Sequence, residues 1–383
     1  MHFESNRRSE AQFLTVPVSN TVIDVNPEFQ KQLEIDVGDS SELVRLWSPP
    51  EERGILLGAE ARHNRIANVD NTFVVDANGL RWEDIDVKSP GLTEVGHGPS
   101  GDEVQLFPWT RMVETPFAEA KIWGGNDLAS ARHAFKYQHI LEKIGVRTYK
   151  SLFVTKLNEW MYKGNKVPIS EIPVAAKDAE VKGENDAIPE GYVLAAEVRA
   201  CRIKTRMQAI EERSAPSEEN RAYIRREIDR ARKLVAEEKG LPDLSVNDYL
   251  EWFIDAHGQN LGRMHAGGYV HRFMHAGNVT LDCRILDLDS MQTFSEAHAA
   301  EKERLAQYYG TTVLQEASRE NFVIRDSRTV HLAVFARIVS AAYDMPFSLN
   351  VSKRFLSAYT QAQAHIPPEL RTVRYAEKAQ ERS

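Results

Sequence analysis

Cysteine is nearly absent: Cys201 and Cys283 are the only two in 383 residues. So sparse a set cannot staple a fold, and two free thiols in a reducing compartment are expected. No stretch reaches the ~18 consecutive apolar residues of a membrane-spanning helix. The opening MHFESNRRSEAQF also lacks the apolar core of a secretory leader. Excess positive charge is missing as well. There are 48 Lys and Arg against 56 Asp and Glu, and a formal net charge of −8 argues against a general nucleic-acid binder. These absences describe a cytoplasmic protein with neither membrane nor nucleic acid among its partners. The length suffices for a large core and two lobes.

Residues 1–70 mix polar and short apolar segments around Pro49-Pro50 and read as an N-terminal extension. Strand signals follow at Thr72 to Val75 and Leu80 to Lys88, joined by the turn-forming Asn78-Gly79. Alternation in the second run puts Ile85 and Val87 on one face and Asp84, Asp86 and Lys88 on the other. The GxGxxG match Gly96 to Gly101 reads as a flexible loop, because it does not open a helix. Asn126 or Asp127 is a plausible N-cap for a helix ending at Gly145, with Leu128, Ala131, Phe135, Ile140, Leu141 and Ile144 as its apolar stripe. Ser151 to Lys156 and Tyr192 to Ala200 read as further strands, so residues 71–206 form a sheet lobe with one docked helix. Residues 207–383 read as a mostly helical lobe. Its helices are a charged, solvent-lined one over Ser217 to Lys239, one opened by the capping-box-like Ser245 to Asp248, and patterns at Ala297 to Tyr309, Arg328 to Tyr343 and Val351 to Ala364.

The densest signal is Gly267 to Ser290, GGYVHRFMHAGNVTLDCRILDLDS. Two apolar-rich pieces, Gly268 to Phe273 and Val279 to Leu286, flank a polar turn, and Asp287 lies nine positions after Asn278. A turn at Asp282 and Cys283 would bring both side chains to one end of a hairpin. An amide oxygen and a carboxylate are hard ligands that suit Mg²⁺ carrying nucleotide phosphates.

At these residues the chain resembles the protein-kinase-like superfamily, whose loop H-x-D-x-x-x-x-N precedes a metal-binding Asp. His271, Phe273, Asn278 and Asp287 occupy those positions, with Phe273 where the catalytic acid stands. The selenoprotein O family of adenylyltransferase pseudokinases shares that gap. Its loop reads roughly H-G-V-M-N-T-D-N, and the likeness extends to Met274 and to the spacing of Asp287. The chain departs from it at Gly277, where that family carries an Asp. It departs again at Ala134, where the helix Glu that pairs with the lysine would fall. The resemblance covers about residues 80–290, discontinuously.

The resemblance implies a two-lobed α+β kinase-like fold and an enzyme that transfers AMP from ATP, with Mg²⁺ or Mn²⁺, to a hydroxyl on a protein. Lys88 would be the phosphate-contacting lysine, paired with Glu142, another carboxylate or the nucleotide alone. Arg199 and Arg206, seven positions apart like the family's arginine pair, would contact phosphates and be dispensable for folding. Asn278 and Asp287 would hold the metal. Two other readings remain open. A phosphotransferase would use His275 as its base, and an inactive scaffold would explain Phe273, Ala134 and Gly277 together. The structural reading of His271 and His275 is that they hydrogen-bond the backbone of the loop.

Overall fold

The computed structural model describes residues 14–48, 73–88, 126–162, 193–297 and 331–364, with short pieces between 96 and 122 and between 165 and 186. The fold is mixed α+β, with an antiparallel sheet and several helices. The chain divides into two units, one of residues 1–136 and 150–202, the other of 137–149 and 203–383.

β-branched and small apolar residues build the sheet of the first unit. Its strands are β1 (Asn20–Val25), β2 (Asp84–Lys88), β3 (Lys150–Leu157) and β4 (Leu194–Cys201). β3 lies between β1 and β4, and the far edge of β4 takes β2 and the two-residue strand Asn126–Asp127. A strand of this sheet therefore comes from within the expected N-terminal extension. Ile85, Val87, Ala196, Val198 and Ala200 feed a core that also holds Val22, Phe29, Leu46, Trp82 and Trp160. On a second cluster, Val154 and Ala195 meet Ala131, with Leu128 and Phe135 packed against them.

Those last three residues belong to α1 (Leu128–Lys143). Asp127 caps it, accepting from the backbone N–H of Ser130 at 2.8 Å. Gly145, at φ 75°, closes it in the left-handed region that glycine enters without strain. Both ends stand where the sequence places them. β2 differs from expectation, because Asp84 and Asp86 are buried together with Ile85 and Val87. Alternation gives the side of a strand, and what covers that side is a tertiary matter.

The second unit contains α2 (Met207–Glu211), α3 (Glu218–Glu238), α4 (Val246–Ala266), α5 (Leu332–Ala342) and α6 (Val351–Ala364). Ser217 and Ser245 cap α3 and α4, accepting from the N–H groups of Asn220 and Asp248, each at 3.1 Å. α3 is less solvated than its charge implies. Tyr223, Ile224, Ile228, Ala231 and Val235 bury one face, since four-residue apolar spacing persists beneath the arginines. Of the other helical patterns, residues 298–330 lie outside the described residues.

α4 and α6 approach closely at Gly258 and Gly262. A Cβ on Gly258 would lie 2.7 Å from the carbonyl oxygen of Phe355, so the crossing requires the missing side chain. His257 sits beside this contact, fully buried, its ring 6.1 Å from that of Phe355. Neither ring nitrogen has a hydrogen-bond partner among the described residues. Burial pushes its pKa down from 6.5 to about 4, with His265 adding to the shift.

A histidine kept neutral when folded takes its proton only in the unfolded chain, so stability rises with pH across that interval. It should be complete above about pH 6.5 and fall by about 3 kcal/mol as pH drops to 4. Denaturant melts of wild type and His257→Phe at pH 7 and pH 4.5 check this. The variant should lose less stability on acidification.

Candidate functional site

In the second unit, Val279 and Ile285 form a single antiparallel bridge closed by a tight turn. Cys283 takes φ 56°, its N–H donating to the Thr280 carbonyl at 2.8 Å. The turn is where the sequence places it, but the pairing differs. The first apolar piece supplies β5 (Tyr269–His271), which pairs with β6 (Met291–Thr293) rather than with residues 279–286. The backbones of Asn278 and Leu286 come together at the mouth of the turn, with Asp287 next in the chain, because the Leu286 N–H donates to the Asn278 carbonyl at 2.9 Å.

Side chains from distant segments hold this turn. Arg284 Nε donates to Asp282 Oδ2 at 2.6 Å, and its Nη2 to Glu238 at 3.1 Å. Arg147 also binds Glu238 and reaches the Asp282 carbonyl at 3.1 Å. Asn260 accepts from the Arg147 N–H at 2.9 Å and donates to the Cys283 carbonyl at 2.8 Å, while Tyr249 donates to the Leu281 carbonyl at 2.7 Å. None of these anchors carries a sequence signal, since an isolated Asn or Arg on a helix or loop reads as surface. Cys283 is buried within the turn and its thiol pKa is raised by that burial, which leaves it a packing residue.

The loop before the turn is equally tied. His271 is fully buried; its Nδ1 accepts from the Phe273 N–H at 3.2 Å, leaving Nε2 to donate to the Leu286 carbonyl at 2.8 Å. This is the structural role weighed from sequence. Asp287 follows in the left-handed region at φ 55°, ψ 50°, its carbonyl accepting from Ser290 Oγ at 2.8 Å. Such backbone is strained for a residue other than glycine and persists where surroundings enforce it.

Asn278 is 2% exposed. Its Nδ2 donates to the Phe273 carbonyl at 2.8 Å, while its Oδ1 is buried with no hydrogen-bond partner among the described residues. An unsatisfied buried acceptor costs roughly 1–3 kcal/mol, a cost that a bound cation or donor at this position would remove. Beside it Arg206 is 5% exposed, donates through Nη1 to the Gly277 carbonyl at 2.5 Å, and lies 3.7 Å from Asp287 Oδ2. Asn278, Asp287, Arg206 and His275 thus gather around one loop. The buried amide oxygen and the adjacent carboxylate fit a hard divalent cation. Among the described residues no group of three or more His, Cys, Asp or Glu side chains forms a metal cluster.

His275 accepts from the Gly277 N–H through Nδ1 at 3.0 Å. Burial lowers its pKa, with His271 adding to that against the pull of Asp287. A neutral ring whose Nδ1 accepts carries its proton on Nε2. In this conformation the Nδ1 lone pair of His275 is engaged and its Nε2 offers a donor, whereas a base would need a lone pair directed at the acceptor. Phe273, where an acid would stand, is 49% exposed.

Lys88 and Arg199 belong to the first unit. Lys88 ends β2, half-buried, with Glu197 directly opposite on β4. The carboxylate nearest in register therefore comes from a strand, whereas Ala134 is fully buried on α1 and Glu142 accepts from Gln138 at 2.8 Å. Arg199 stands opposite Asp86 and binds it through Nε at 2.5 Å and Nη2 at 3.3 Å, their side chains 2% and 3% exposed.

The sequence matches no protein-family model, and it matches no curated protein. No helix among the described residues is long and apolar enough to cross a membrane.

Its burial makes Arg199 a folding residue, contrary to the expectation that it is dispensable. Arg199→Ala strands the Asp86 carboxylate and should cost about 3–5 kcal/mol in urea denaturation. Arg199→Met combined with Asp86→Leu should recover most of that loss.

Proposed function

We propose that this protein is a kinase-like nucleotidyltransferase, which binds ATP with Mg²⁺ or Mn²⁺ and transfers AMP to a hydroxyl, the acceptor being a protein side chain. The observation that carries this reading is the unsatisfied Asn278 Oδ1, held buried beside Asp287 on a loop whose acid position is Phe273. The lysine strand, helix and two further strands follow in the order the resemblance requires, as β2, α1, β3 and β4. The two-lobed arrangement and the resemblance to the selenoprotein O family are parts of the same proposal.

In this reading the acceptor oxygen forms a bond to the α-phosphorus, the bond from that phosphorus to the β-bridging oxygen breaks, and pyrophosphate leaves. The hydroxyl proton passes to solvent. Asn278 and Asp287 would hold the divalent cation, which would supply electrostatic stabilisation of the phosphate oxygens. Arg206 and the Nε2–H of His275 would donate to phosphate oxygens, and the resemblance assigns a phosphate contact to Lys88 as well. Charge stabilisation by fixed donors is the larger part of phosphoryl-group chemistry, so the loop functions without a carboxylate base. Arg199 is held to Asp86 within the sheet, whereas Arg206 lies beside Asp287 and Gly277, so this reading gives Arg206 the greater share of binding.

ATP labelled separately on its α- and γ-phosphates tests the chemistry. The α label should appear on the acceptor with release of pyrophosphate, and Asp287→Ala should abolish it. Labelling from γ-labelled ATP alone moves the assignment to a phosphotransferase, and labelling from neither moves it to a catalytically inactive scaffold.

A further inference from the structure

Gly277 has no side chain, yet the space beside it is filled. A Cβ built there would collide with Gln208 Oε1, and would lie 2.7 Å from His275 Cε1 and 2.9 Å from its Nδ1. Gln208 comes from α2, whose entry is fixed against the loop. The Met207 N–H donates to the Val279 carbonyl at 2.8 Å, and the Leu281 N–H donates to the Thr205 carbonyl at 2.9 Å. Its amide orientation is determined as well. Nε2 lies 2.8 Å from Glu212 Oε1, and a carboxylate only accepts, so the nitrogen must face Glu212 and the oxygen must face the loop.

The backbone of Gly277 is already engaged on both sides, its N–H by His275 and its carbonyl by Arg206. The oxygen nearest the position of a side chain at residue 277, which directly precedes Asn278 in the chain, is therefore that of the Gln208 amide. A divalent cation on nucleotide phosphates takes about six oxygens shared among protein groups, phosphates and water, and Asn278 and Asp287 supply two protein groups, which leaves room for a third. We propose that Gln208 supplies a third protein oxygen to this metal–nucleotide site, in the space left by the absent side chain at Gly277. The proposal rests on the metal–ATP reading above and adds to it a ligand from a separate element, which no spacing within the loop could reveal.

Calorimetric titration of the full chain with ATP in excess Mn²⁺, and again in excess chelator, separates metal-dependent from metal-independent binding. Gln208→Met keeps the length of the side chain without its oxygen and should weaken Mn²⁺-dependent ATP binding about tenfold or more, leaving binding in chelator unchanged. Gln208→Glu keeps an oxygen and should retain wild-type affinity or better. Gly277→Ala crowds Gln208 Oε1 and the His275 ring together and should likewise weaken Mn²⁺-dependent ATP binding. Thermal melts identify the variants that fold as wild type, and wild-type Mn²⁺-dependent affinity in a folded Gln208→Met or Gly277→Ala chain overturns the proposal. If Asp287→Ala loses metal-dependent binding in the same series, the metal–ATP reading survives that result. Absence of metal-dependent binding in the wild-type chain removes the reading and the proposal together.

Discussion

Asp282 and Arg284, 1% and 8% exposed at the side chain, are charges inside a five-residue turn, and the geometry of the loop depends on keeping them satisfied. A buried ion pair gains little net stability over apolar residues of similar shape, but losing one partner leaves a charge stranded at several kcal/mol. Here the pair is extended by Glu238 and Arg147, and Arg284 Nη1 also donates to the Thr148 carbonyl at 3.1 Å. In the observed arrangement each of these charges is hydrogen-bonded. That arrangement places Asn278 next to Leu286 and hence beside Asp287. Fully satisfied polar networks specify geometry in this way even where they add little to stability.

The first unit uses the same device on a sheet. Asp86, Glu197 and Arg199 lie among apolar strands, and cross-strand register brings Asp86 opposite Arg199 and Lys88 opposite Glu197. Ser151 adds a hydroxyl donor to Glu197. A charged residue on a buried sheet face fixes register, because a slip of one position would carry every member to the other face without its partner.

The loop itself contains strong donors and acceptors but no carboxylate ahead of Asn278. His271 is engaged in structure, His275 presents a proton, and Phe273 is apolar. Such a loop stabilises charge better than it removes protons, so the proposed reaction is one in which electrostatics dominates. The left-handed backbone at Asp287 and the orphaned oxygen of Asn278 are two departures from ordinary backbone and hydrogen-bonding rules on this one loop. Such departures are expected where a protein keeps atoms for a ligand.

Local chemistry by itself determined the helix limits at Asp127, Gly145, Ser217 and Ser245, the strands around Lys88 and Ala200, and the turn at Cys283. Caps, glycine and alternation act within a few residues, so they are readable in order along the chain. The spacing of Asn278 and Asp287 was legible for the same reason. Tertiary structure alone decided that Asn20–Val25 joins the sheet, that Asp86 neutralises Arg199, and that β5 pairs with β6. It also decided that the Nδ1 lone pair of His275 is taken up by the Gly277 N–H, and that Gln208 fills the space at Gly277. Each of these depends on which distant group arrives at a buried position, and burial is a property of the assembled fold that no local pattern carries.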